Sequence, residues 1–159
     1  MPTYFSQSFT LVEDAHGLPA GVLDAVIQHE SGGDPNAFRF EPDFYARYIR
    51  GVGQSLLGGS WPLAASDETE RMGRGTSWGL MQVMGQVARE QGFDLPFFPA
   101  LCSVPGLGVE FGARQLAAKL RAYGNLPDAL SAYNAGQPTL FNRSSYVEPI
   151  LARMKGAAS

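Results

Sequence analysis

Apolar residues recur at helical spacing in segment after segment of this chain, and nowhere do they alternate convincingly at strand spacing. That pattern restricts it to an all-α fold with little or no sheet. The clearest stripe lies at 18–30, where Val22, Leu23, Val26 and Ile27 follow Pro19, a residue suited to a first helical turn. Ser31-Gly32-Gly33-Asp34-Pro35 then stops the helix, with glycine available for a left-handed cap. Further helices are expected over 41–50 (Phe44, Tyr45, Tyr48, Ile49 on one face), 79–91 (Leu80, Met84, Val87, Ala88) and 107–123 (Val109, Ala113, Leu116, Leu120). Pro127 opens a short one carrying Leu126, Leu130 and Tyr133. A last helix is expected over 146–154, with Ser145 and Glu148 spaced as a capping box. The 19 Gly and 11 Pro among 159 residues call for many turns and short helices within one domain. Residues 51–75, rich in Gly, Ser and acidic side chains, read as a long excursion with one short helix, mobile around Asp67 to Glu70.

Composition removes several function classes. The net charge is −3 and Lys and Arg form no run, so nucleic-acid binding has no electrostatic footing. Cys102 is the one cysteine, which forbids an internal disulfide. It reads as a small half-buried apolar residue rather than a nucleophile. No His/Cys/Asp set has metal-ligand spacing, and neither a metal nor a cofactor is expected. The first residues carry no positive patch followed by an apolar run, so a secretory signal is not expected, and no stretch approaches the length of a membrane span. A monomer is expected.

Glu30 occupies an unusual place. At helical spacing from Leu23 and Ile27 it continues the apolar stripe, so its carboxyl group faces the core side. It also falls in the last turn, where the helix dipole disfavours an anion. Both effects penalise the charged form, so the group is expected to hold its proton, as a general acid must. Glycosidic bonds need such help because a departing sugar alkoxide is very basic. A competing reading, a carboxylate fraying at a helix end or pairing with a base, is weakened by Gly32-Gly33, which clear space beside it for a bulky substrate. His29, next in line, points about a hundred degrees away around the helix and reads as structural or as cleft rim. Trp61 is the better sugar-stacking candidate of the two tryptophans, while Trp78 reads at least as well as a core anchor.

Four strings, in order, carry a family resemblance: Glu30-Ser31-Gly32-Gly33 with Asp34-Pro35-Asn36-Ala37, Ser77-Trp78-Gly79-Leu80-Met81-Gln82-Val83-Met84, Ala129-Leu130-Ser131-Ala132-Tyr133-Asn134-Ala135-Gly136, and Ser145-Tyr146-Val147. Together they resemble the lytic transglycosylase (SLT) family, related to goose-type lysozyme, over about 18–154. The resemblance implies a lysozyme-like single domain and peptidoglycan glycan strands as substrate, with cleavage of the MurNAc-GlcNAc β-1,4 bond. It implies that one glutamate, here Glu30, acts as acid and then base, giving a 1,6-anhydro product without metal or cofactor. Cell walls being polyanionic, binding would come from cleft contacts rather than bulk attraction.

The same resemblance implies that Tyr146 approaches the catalytic carboxylate and that Ser31, Gln82, Met84, Tyr133 and Asn134 line the substrate site. Pattern alone places Gln82 on a polar helix face and Met84 and Tyr133 on apolar stripes, so core packing rivals the site for these two; Asn134 also suits a helix terminator. Residues 38–76 are a long insertion between the first and second motifs. Its Glu41, Asp43, Asp67, Glu68 and Glu70 offer candidates for a second carboxylate, which would turn the enzyme into a muramidase; a solvated acidic loop is the plainer reading of 67–70. A wall-binding module without activity is the rival from another class. The segment starting at Phe38 is similar to phage and prophage members, which suggests delivery as an endolysin through a holin or as a virion-associated enzyme.

Overall fold

A computed structural model describes residues 6–62 and 66–157. It is mostly helical: α1 (Ser6–His16), α2 (Val22–Glu30), α3 (Pro42–Phe44) running into a π-helical turn (Tyr45–Ile49), α4 (Gln54–Leu57), α5 (Asp67–Arg74), α6 (Gly85–Glu90), α7 (Ala100–Ser103), α8 (Pro105–Tyr123), α9 (Leu126–Ala135), a second π-helical turn (Arg143–Val147) and α10 (Glu148–Ala157). One small antiparallel sheet accompanies them, in the order β1 (Phe38–Phe40), β2 (Thr76–Trp78), β3 (Val83–Met84), with Phe38 opposite Trp78 and Ser77 opposite Met84. Strands of two and three residues are too short for alternation to register in the sequence. Among the described residues no helix is long and apolar enough to cross a membrane.

The chain divides into two compact units, Met1–Gly32 with Ala113–Ser159, and Gly33–Gly112. In the first, α2 packs on α1 and α10, and the second π turn packs on α9 and α10. Val22, Leu23 and Val26 of α2 are sealed from solvent together with Leu116, Leu130 and Ile150. The stripe expected over 18–30 therefore forms, but α2 begins later than the spacing suggests, because Gly21 takes a left-handed conformation (φ 81°). Its amino end is capped from α1. The buried Glu13 carboxylate accepts Gly21 N–H at 3.0 Å and Leu23 N–H at 2.9 Å, satisfying donors that a helix start leaves open.

In the second unit the core is partly ionic. Glu70 Oε1 accepts Arg74 Nε at 2.9 Å and Arg89 Nε at 2.8 Å, and all three side chains are excluded from water. Arg89 Nη2 also donates to Glu70 Oε2 at 2.9 Å, and further guanidinium hydrogens go to Gln86 Oε1 and to the carbonyls of Gly58, Ser60, Phe93 and Leu95. Phe98 and Trp61 lie 4.2 Å and 4.5 Å from the Arg89 and Arg74 guanidinium carbons. Where an acidic loop is expected at 67–70, α5 starts at Asp67 under a Ser66 cap. Asp67, Glu68 and Thr69 are exposed, as a solvated run should be, but Glu70 is buried because two arginines compensate its charge. The helix expected over 79–91 also shortens to α6, since a turn and β3 occupy its first residues. The capping box of Ser145 and Glu148 does not form. Asn142 C=O accepts Tyr146 N–H and Val147 N–H instead, so helical backbone begins earlier, as a π turn.

Candidate active site

Glu30 is the last residue of α2 and is half-buried. The helix stops there because Gly32 and Gly33 adopt φ of 64° and 84°. An added Cβ at Gly32 would meet nothing within 4 Å, so the sign of the backbone angle, rather than crowding, calls for glycine. Ser31, at the cap, turns its hydroxyl back onto Ile27 C=O at 3.2 Å.

Tyr146 comes to the carboxylate from the second π turn. Its hydroxyl donates to Glu30 Oε1 at 2.5 Å, and its ring is buried against His29, edge to face at 5.0 Å. Burial, and then the nearby negative charge of Glu30, hold the Tyr146 hydroxyl protonated far above the ordinary tyrosine range. Tyr133 of α9 behaves alike: it is buried, and burial followed by the charge of Glu30 pushes its pKa well above 10.0. His29 is held below its ordinary value of 6.5 by burial and then by Arg153, so the ring stays neutral beside Tyr146. The first unit thus brings Glu30, Tyr146 and Tyr133 together, with Ser31 adjacent in the chain. A half-buried carboxyl group held by a phenol that keeps its own proton is chemically suited to giving up a proton and taking one back.

Asn134 follows Tyr133 on α9 and is exposed. Its Oδ1 accepts a hydrogen from Asn142 Nδ2 at 2.9 Å, and Asn142 also donates to Ser131 C=O at 3.0 Å. Neither Asn142 nor Glu13 was marked by spacing or by motif. Their partners lie across a loop or at another helix end, and no local periodicity reports such contacts.

Gln82 and Met84 belong to the second unit, and neither lies on a helix. Gly79 (φ 72°) donates its N–H to Ala37 C=O at 2.7 Å and opens a turn that ends at Gln82. A Cβ at Gly79 would stand 2.5 Å from Leu101 O, so no other residue fits. Gln82 itself takes a left-handed φ of 49°, the only described residue other than glycine to do so, and such strain is found where geometry serves a site. Its Nε2 donates to Ala37 C=O and Gly79 C=O, leaving Oε1 to accept from a ligand. Met84 is half-buried, pairs with Ser77 in the sheet and leads into α6.

Trp78 is anchored by its indole N–H to Gly73 C=O at 2.9 Å and stacks on Phe98. Trp61 offers less free surface than expected, because the Arg74 guanidinium lies on its ring. Of the acidic residues in 38–76, Glu41 bonds Arg39 and Ser77, Asp67 bonds Arg71, Glu68 accepts from Tyr45, and Glu70 is committed to its two arginines. Cys102 is buried, with its thiol near Ala37 C=O and its pKa raised by burial. Among the described residues no group of three or more His, Cys, Asp or Glu side chains is placed to hold a metal ion.

The family model described as Transglycosylase SLT domain matches residues 8–148. No curated protein and no solved structure matches the chain. The mostly helical architecture with its small sheet is consistent with the lysozyme-like fold of that family.

Proposed function

Since the chain belongs to the transglycosylase SLT domain family, whose members act on peptidoglycan, we propose that it cuts the MurNAc-GlcNAc β-1,4 bond with Glu30 as its one acid/base. Glu30 donates its proton to the glycosidic oxygen as the bond from C1 of the muramic residue breaks. The resulting carboxylate then takes the proton of the muramic C6 hydroxyl, whose oxygen closes on C1. A 1,6-anhydro end forms, no water is consumed, and Glu30 regains its starting state. The substrate's own N-acetyl group supports C1 in between, so no protein nucleophile is invoked. Tyr146 orients the carboxyl group, and Ser31, Gln82, Met84, Tyr133 and Asn134 contact the glycan.

The observation that carries this reading is the 2.5 Å hydrogen bond from Tyr146 to Glu30. It holds one carboxyl oxygen in place beside two tyrosines that keep their protons. In the same reading, 1–159 is one monomeric catalytic domain in which 38–76 is inserted between motifs, and it reaches the wall as a phage endolysin or a virion-associated enzyme.

Purified sacculi digested with wild type and with Glu30→Gln test the proposal. Wild type should clear the suspension and release ends lighter by one water than hydrolysed ends, while Glu30→Gln should bind walls without clearing them. Clearing by Glu30→Gln at the wild-type rate would overturn the role of Glu30. Hydrated ends from wild type would make the enzyme a muramidase.

A further inference from the structure

The loop between α9 and the second π turn is tied down by a short relay of amides and a hydroxyl. Ser131, sealed from solvent, has a backbone carbonyl that can only accept, and Asn142 Nδ2 donates to it at 3.0 Å. That bond fixes which end of the Asn142 amide is nitrogen. Asn142 Oδ1 therefore faces the Ser131 hydroxyl at 2.7 Å, and Thr139 N–H donates to the same hydroxyl oxygen at 2.9 Å. The second hydrogen on Asn142 Nδ2 goes to Asn134 Oδ1 at 2.9 Å. Asn134 thus has its acceptor end turned inward and satisfied. Its NH2 end is left toward solvent, on the residue that follows Tyr133.

We infer that Asn142 sets the polarity of Asn134, so that the exposed amide offers only donors and selects the carbonyl oxygen of a substrate acetamido group over the ammonium of a de-N-acetylated sugar. This rests on the glycan-cleaving reading above and deepens it to a preference within the substrate. A sugar hydroxyl both donates and accepts and would not be distinguished. An acetamido carbonyl accepts and is welcomed, whereas an ammonium brings hydrogens against hydrogens and leaves both groups unpaired. Asn142 touches no substrate in this scheme and is a positioning residue. Its backbone carbonyl also receives Tyr146 N–H at 2.9 Å, so the residue that orients Asn134 also anchors the turn bearing Tyr146.

The test uses the full chain carrying Glu30→Gln, so that binding is read without turnover. Peptide-free glycan strands, either fully N-acetylated or de-N-acetylated, are titrated in mildly acid buffer where the freed amine is an ammonium. High salt screens any added charge. The ratio of the two affinities is the readout, because structural damage lowers both alike. Asn134→Asp still accepts from Asn142 but presents an acceptor outward, and should shift the ratio about tenfold or more toward the ammonium form. Asn142→Leu leaves Asn134 free to turn over and should move the ratio part of the way in the same direction.

Side-chain amide exchange by NMR on the unsubstituted chain reads the relay directly, whatever Asn142→Leu does to folding. The Asn142 amide hydrogens should exchange slowly and those of Asn134 fast. The inference is overturned if Asn134→Asp leaves the ratio within about twofold, or if the Asn134 hydrogens are the protected ones. Protected Asn142 hydrogens with no binding of either glycan by any variant would instead sink the glycan reading, and the substrate preference with it.

Discussion

Tyr146 donates its phenolic hydrogen to Glu30 Oε1 at 2.5 Å across 116 positions of sequence. The contact joins the end of α2 to a π turn, and neither partner is fully exposed. If this bond orients the carboxyl group for proton transfer, Tyr146→Phe removes it with little change of shape. We expect kcat on soluble glycan to fall about 10–100-fold, with KM within about threefold, because the loss falls on the reacting state rather than on binding. An unchanged kcat would show that the hydroxyl is merely packed there.

Tyr133 and Tyr146 also make the fold sensitive to alkali. Both have folded-state pKa values above the ordinary tyrosine value of 10.0. Below that value both are protonated in either state and contribute fully. As pH rises past it, the unfolded chain loses these protons while the folded chain keeps them, so stability falls with increasing pH. Alkaline unfolding should therefore begin above about pH 10 and move upward in Tyr133→Phe and Tyr146→Phe. Circular dichroism along a pH series measures it; midpoints that stay put in both variants would contradict the argument.

The Glu13 cap predicts a stability effect far from the carboxyl group it supports. Glu13→Ala leaves two N–H groups at the start of α2 without their acceptor. Unfolding in urea should show a loss of about 2 kcal/mol or more. Glu13→Gln keeps one accepting oxygen and should lose roughly half as much. A loss below about 0.5 kcal/mol for the alanine variant would mean that water replaces the carboxylate at this helix end.

The buried Arg74–Glu70–Arg89 triad predicts a larger effect in the second unit. Removing Glu70 strands two guanidinium groups that solvent does not reach. Glu70→Ala should destabilise by about 3–5 kcal/mol, and Glu70→Gln by less, since its oxygen still accepts. Urea unfolding followed by the fluorescence of Trp61, which lies on Arg74, reports on this region directly. Wild-type stability in Glu70→Ala would show that the pair of arginines is compensated elsewhere.

Much of the helical framework was legible in sequence because its causes are local. The stripe Val22, Leu23, Val26, Ile27 and the Gly32-Gly33 stop lie within a few residues of one another, and α8 and α9 form close to where their apolar spacing and prolines place them. The small sheet was not legible, since each strand is too short to alternate, and its pairing joins Phe38 to Trp78 across the whole of α3 to α5. The burial of Glu70 was equally hidden, because an acidic run looks solvated until Arg74 and Arg89 are seen to close on it.

Residue spacing and motif order by themselves determined that the chain is mostly helical, that a carboxyl group ends the helix bearing Val22, Leu23, Val26 and Ile27, and which family it resembles; the helix before it, α1, left no signal that was read. Folding in three dimensions decided the rest. It brought the hydroxyl of Tyr146 to Glu30, turned Gln82 into a left-handed bend instead of a helix face, and orientated the amide of Asn134 through Asn142. Helical periodicity follows from interactions a turn apart, whereas hydrogen-bond direction at a site depends on partners that only the folded chain brings within about 3 Å.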